Sequence, residues 1–101
     1  MAVKYLTAIE NFSKGAWEQV IADLEAICGE EPNYADGTAR QTLYEAYVAR
    51  GNMRLASGDF ELALTDFQQA AVLAQQTPGA VLRLFEAQLF VADTLGLLGN
   101  Y

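Results

Sequence analysis

The sequence predicts an all-α fold of about five helices, laid out as antiparallel helix-turn-helix pairs. Three observations predict it. Apolar residues recur at the spacing of a helix face along nearly the whole chain. Short runs that combine β-branched residues with strict alternation are few, so strands find no support. The only two prolines, Pro32 and Pro78, stand at breaks in the helical patterning, where a residue lacking an N–H does least harm.

The first helix is expected over about residues 3–12, with Tyr5, Leu6, Ile9 and Phe12 on one face. The second covers about 16–28 and turns Trp17, Val20, Ile21, Leu24, Ile27 and Cys28 inward. Gly29 and Pro32 then stop it, as a terminating glycine followed by proline should. The third is long, about 36–56, and carries Leu43, Tyr44, Tyr47, Val48, Gly51 and Leu55 before Gly58 closes it. Asp59 is a good N-cap for the fourth, whose inward residues read Phe60, Ala63, Leu64, Phe67, Ala70, Ala71 and Leu73. Thr77 as N-cap and Pro78 at the first helical position open the fifth, which continues through Leu98.

A chain of 101 residues supports one domain, able to bury roughly 60–65% of its unfolded surface. Its 52% hydrophobic content suffices for one helical core and leaves apolar surface over. Thirteen acidic against six basic residues give a net charge of −7. That field repels phosphate backbones and anionic lipid, so neither nucleic acid nor a membrane surface is an expected partner. No apolar run approaches the roughly 20 residues that span a bilayer, and the N-terminus lacks the continuous apolar stretch of a signal peptide. The single cysteine, Cys28, permits no internal disulfide, which fits a reducing, cytoplasmic setting.

Catalytic chemistry finds little to work with. The chain has no histidine, which excludes Ser-His-Asp and Cys-His nucleophiles and histidine-ligated metals. Cys28 lies beside Ile27 on an apolar face and reads as a small core residue. No P-loop or dinucleotide glycine pattern occurs, and the pairs Asp23/Glu25 and Glu30/Glu31 read as solvated surface. The expectation is a protein that is not an enzyme and holds no cofactor or metal.

The chain repeats itself. Lys14-Gly15-Ala16-Trp17-Glu18-Gln19-Val20-Ile21 aligns with Ser57-Gly58-Asp59-Phe60-Glu61-Leu62-Ala63-Leu64, and Leu24 and Ile27 then match Phe67 and Ala70. A third start follows at Leu98-Gly99-Asn100-Tyr101. Glycine permits the left-handed turn between two helices, the ring wedges between them, and the small residue a turn later lets them approach. This pattern resembles the tetratricopeptide repeat (TPR). Tyr47, Gly51, Gly58, Asp59, Phe60, Ala63, Phe67 and Ala70 fall at that family's signature spacing, as do Gly15, Trp17, Leu24 and Pro32 before them and Ala92, Leu95, Gly99 and Tyr101 after. Lys4 and Thr7 depart from it, and Phe12 lies one position late. The glycines are 43 and 41 residues apart, against about 34 in the family; the excess is close to two helical turns and reads as lengthened helices.

The resemblance implies a short right-handed solenoid of about two and a half repeats, divided at about residues 34 and 76. A plain antiparallel bundle is the alternative. It further implies a concave groove lined by the first helix of each repeat: Tyr5, Ile9 and Phe12, then Glu45, Val48, Asn52 and Leu55, then Glu86, Leu89, Phe90 and Asp93. A basic or amphipathic peptide would complement that surface, although any of these apolar residues could instead be core. The two-carboxylate clamp that some members direct at acidic peptides is missing, since the matching positions read Tyr5, Ile9, Ala49, Glu86 and Phe90. Arg50 and Arg54 form the only compact basic pair, able to grip a carboxylate and expected to pair with nearby acidic helix faces.

The fifth helix is apolar around more than one face, with Leu82, Leu84, Phe85, Leu89, Phe90, Val91, Leu95, Leu97 and Leu98. A terminal helix of an array should be polar outside. Two expectations follow: a fragment of a longer scaffold or regulatory protein whose next helices cover this face, or a homodimer through helix 78–98. Tyr5, Asn52 and Asp93 favour a protein-binding adaptor and the apolar helix favours self-assembly. A small-molecule sensor using the space between helices is the third, remote reading.

Overall fold

Two glycines set the folding plan. Gly15 and Gly58 adopt φ of 75° and 84°, the left-handed region that costs a residue with a Cβ roughly 1–2 kcal/mol. Each ends its helix with the same pair of backbone bonds. Gly15 N–H donates to Phe12 C=O at 3.1 Å and Ala16 N–H to Asn11 C=O at 3.0 Å; Gly58 N–H donates to Leu55 C=O at 3.1 Å and Asp59 N–H to Arg54 C=O at 2.8 Å. This is the Schellman closure, which satisfies carbonyls that the helix end would otherwise orphan. An aromatic residue opens the next helix both times, Trp17 and Phe60.

The computed structural model describes residues 2–31, 34–76 and 81–99. Among them are α1 (Ala2–Lys14), α2 (Trp17–Glu30), a 3-10 turn (Tyr34–Gly37), α3 (Thr38–Ala56), α4 (Phe60–Gln76) and α5 (Val81–Gly99), with no strand. The all-α expectation is met. Pro32, Thr77, Pro78, Asn100 and Tyr101 lie outside the described residues, as do the side chains of Leu82, Leu84, Phe85, Leu97 and Leu98. Two boundaries are corrected. Gly29 does not stop α2: it lies inside the helix, a Cβ there would meet open space, and Glu31 N–H still bonds Ile27 C=O at 2.8 Å. The third helix begins at Thr38 and not near Asp36, because the 3-10 turn ends on Gly37 at φ 87°.

The chain divides into two compact units, Met1–Ala46 and Tyr47–Tyr101. In the first, α1 packs on α2. Val20, Ile21, Leu24 and Ile27 are buried along α2 at the expected spacing, with Ala39, Leu43, Tyr44 and Ala46 buried on the N-terminal half of α3. Phe12 meets Trp17 edge-on across the Gly15 turn, centroids 5.0 Å apart, and Tyr5 meets Tyr34 edge-on at 5.2 Å. The expected inward face of α1 is corrected. Its fully buried residue is Ala8, whereas Leu6 and Ile9 are exposed.

In the second unit α4 packs on α5, and Tyr47, Ala63, Phe67, Ala70 and Ala74 form the apolar core. The Phe67 ring stacks on Phe90, centroids 4.9 Å apart and planes 15° from parallel. It also lies against Gly51, where an added Cβ would come within 2.6 Å of Phe67 Cε1. Shifted by the repeat interval, Gly51 and Phe67 match Ala8 and Leu24, all four of them buried.

Candidate functional site

The chemistry of the second unit begins with a buried acid. Asp66 sits on α4 between Ala63 and Phe67, on the helix's packed side, and is fully buried. A carboxylate there is costly unless paired and hydrogen-bonded. Arg50 and Arg54, one turn apart on α3, supply both. Arg50 Nη2 donates to Oδ1 at 2.7 Å, its Nε lies 3.2 and 3.1 Å from Oδ1 and Oδ2, and Arg54 Nη1 donates to Oδ2 at 3.1 Å. The Arg50 guanidinium also lies 5.9 Å from the Tyr47 ring centroid. Sequence reasoning expected the arginines to meet an acidic face. What it missed was that the acid would be inside.

This cluster is structural. Both carboxylate oxygens are occupied, and the arginine side chains are only 17% and 19% exposed. Among the described residues no group of three or more His, Cys, Asp or Glu is placed to hold a metal. An open depression of ≈ 250 Å³ in the first unit is lined by Lys4, Ala26, Ile27 and Glu30.

Surface chemistry concentrates on α5. Phe90 and Thr94 turn toward α4, and the buried Thr94 hydroxyl donates to Phe90 C=O at 2.8 Å. At about 100° per residue, the rest of the helix runs in order through Leu95, Gln88, Ala92, Gly96, Leu89 and Asp93 to Glu86, which lies next to the packed side, all exposed. Leu89 is 63% and Leu95 50% exposed. A Cβ at Gly96 would meet nothing within 4 Å. The strip therefore mixes exposed Leu89, Ala92, Gly96 and Leu95 with Gln88 among them, and carries Asp93 and Glu86 along one edge.

The groove positions fare differently from one another. In the first unit Tyr5 and Phe12 are half-buried, each engaged with another ring, while Ile9 and Glu45 are exposed. In the second, Asn52, Glu86, Leu89 and Asp93 are exposed and Val48 and Leu55 half-buried. Phe90 spends its ring on Phe67. Ala92, expected at a small packed position, is exposed.

Cys28 is half-buried. Burial pushes its thiol up from the usual range, and the Arg40 charge pulls it partly back. Less thiolate at neutral pH means slower attack on electrophiles. Iodoacetamide should alkylate Cys28 more slowly in the native chain than in the urea-unfolded chain, as followed by intact mass; equal rates would contradict the assignment.

No helix among the described residues is long and apolar enough to cross a membrane. No protein-family model, curated protein or solved structure matches the chain.

Proposed function

We propose that the chain is a non-catalytic protein-interaction module built on TPR-like helical hairpins. The observation that carries this reading is the α5 strip, where Leu89 and Leu95 stand exposed beside an acidic edge on a helix whose other face is packed. Large apolar side chains left exposed in this way are what another chain would cover. Two Schellman closures 43 residues apart, each followed by an aromatic residue, support the repeat reading and hence a scaffold or adaptor role. By the same resemblance, the first helix of each hairpin would present the binding residues.

Panning a displayed library of amphipathic helices against the chain tests this. Binders should emerge that Leu89→Glu weakens, at little cost to folding because the side chain is mostly in solvent. A well-folded chain that enriches nothing would overturn the reading.

A second reading is a homodimer through α5, favoured by the same two leucines. Light scattering over a concentration series decides it. A dimer lost with Leu89→Glu would establish self-association; a monomer at all concentrations would dismiss it.

A further inference from the structure

We infer that α1 is a releasable helix: it leaves α2 as a unit by turning about Gly15, and so bares part of the apolar row that α2 buries. The chain carries its own control for this. Gly15 and Gly58 close their helices through the same pair of backbone bonds, both in the left-handed region, and stand 43 residues apart. Glycine gives the two turns the same freedom. What differs is how the helix before each turn is held.

At the Gly58 turn the hold is strong. Asp66 is fully buried and takes Arg50 and Arg54 from the preceding helix, so parting α3 from α4 would separate three charges that need one another. Gly51 lies against the buried Phe67 ring. Moved back by 43 residues, Asp66 becomes Asp23, while Arg50 and Arg54 become Thr7 and Asn11. The first hairpin keeps the acid and lacks both bases. Asp23 is half-buried and accepts from Gln19 Nε2 at 3.1 Å, and the exposed Thr7 hydroxyl donates to Val3 C=O at 2.9 Å. Both bonds stay within their own helices. Of residues 3–14 only Ala8 is buried; Tyr5, Asn11 and Phe12 are half-buried, and Val3, Leu6 and Ile9 are exposed. Leaving α2 therefore costs α1 little apolar burial and breaks no cluster of the Asp66 kind. It uncovers Leu24, since Ala8 and Leu24 hold the places that Gly51 and Phe67 hold in the second hairpin.

Native-state amide exchange, followed by NMR in the 101-residue chain at rising urea, tests the inference. The amides of residues 8–13 should share one opening free energy and exchange at least about tenfold faster than those of residues 63–70. Thr7→Arg with Asn11→Arg gives Asp23 the two bases of the second hairpin, at positions exposed or half-buried enough to keep the fold. That variant should slow α1 exchange at least about threefold, and adding Asp23→Asn should remove most of the gain. Equal protection of α1 and α4 would overturn the releasable helix. So would protection that falls off steadily toward Ala2, which is the pattern of simple fraying. No slowing in the arginine variant, or a gain that survives Asp23→Asn, would overturn the missing bases as the cause.

Discussion

Replacing Asp66 with alanine should cost about 3–5 kcal/mol, a large part of the roughly 5–15 kcal/mol that holds a domain of this size together. The reason lies in what remains. Removing the carboxylate leaves two mostly buried guanidiniums, 17% and 19% exposed, facing each other across the space it occupied. Urea denaturation followed by circular dichroism reads the loss, and the melting temperature should fall by on the order of 15 °C. Replacing all three residues together (Asp66→Leu, Arg50→Met, Arg54→Leu) should cost markedly less than Asp66→Ala, since a buried ion cluster and a well-packed apolar one are often comparable in stability. A cost below about 1 kcal/mol for Asp66→Ala would show that the cluster is solvated in practice.

The second large effect centres on Phe67. Phe67→Ala should cost about 3–5 kcal/mol through the cavity and the lost stacking on Phe90. Gly51 is the other half of that packing. In an open helix, glycine to alanine gains about 1 kcal/mol, and Gly96→Ala, with no neighbour within 4 Å, should show that gain. Gly51→Ala should instead destabilise by about 1–3 kcal/mol, because the ring it strikes is buried and stacked and cannot swing away. A double-mutant cycle with Phe67→Leu, which recreates the alanine and leucine at the matching positions of the first hairpin, should give a favourable coupling of about 1 kcal/mol or more. Additive costs would mean the contact is not tight.

The residues that the sequence made legible are those whose role depends on local geometry. A glycine followed two positions later by an aromatic ring announces a left-handed helix end whatever lies beyond it, and both such turns stand where the spacing puts them. The 3.6-residue pattern of α2 was readable for the same reason, because Val20, Ile21, Leu24 and Ile27 are both large and inward. Legibility failed where size and burial part company. On α1 the large residues Leu6 and Ile9 drew the inward face toward themselves, whereas Ala8 takes the buried place. Asp66 reads as solvated face on charge alone. Its burial depends on Arg50 and Arg54 arriving from another helix, and their one-turn spacing was the only signal available. Gly29 misled because a glycine near a helix end suggests a left-handed turn, which this one does not make. On α5, Leu89, Asp93 and Glu86 were identified as surface candidates, but the packed role of Phe90 required knowing where Phe67 points.

The locality of the buried ion cluster also bears on how the chain reaches its fold. Arg50 and Arg54 lie 16 and 12 residues from Asp66, and α1 with α2 and α4 with α5 pack as sequence neighbours. Contacts of such short range place a chain among those that fold in microseconds to milliseconds. The guanidiniums and the carboxylate meet as α3 and α4 close about the Gly58 turn, so no long search precedes the pairing of charges that would otherwise be trapped alone in an apolar interior.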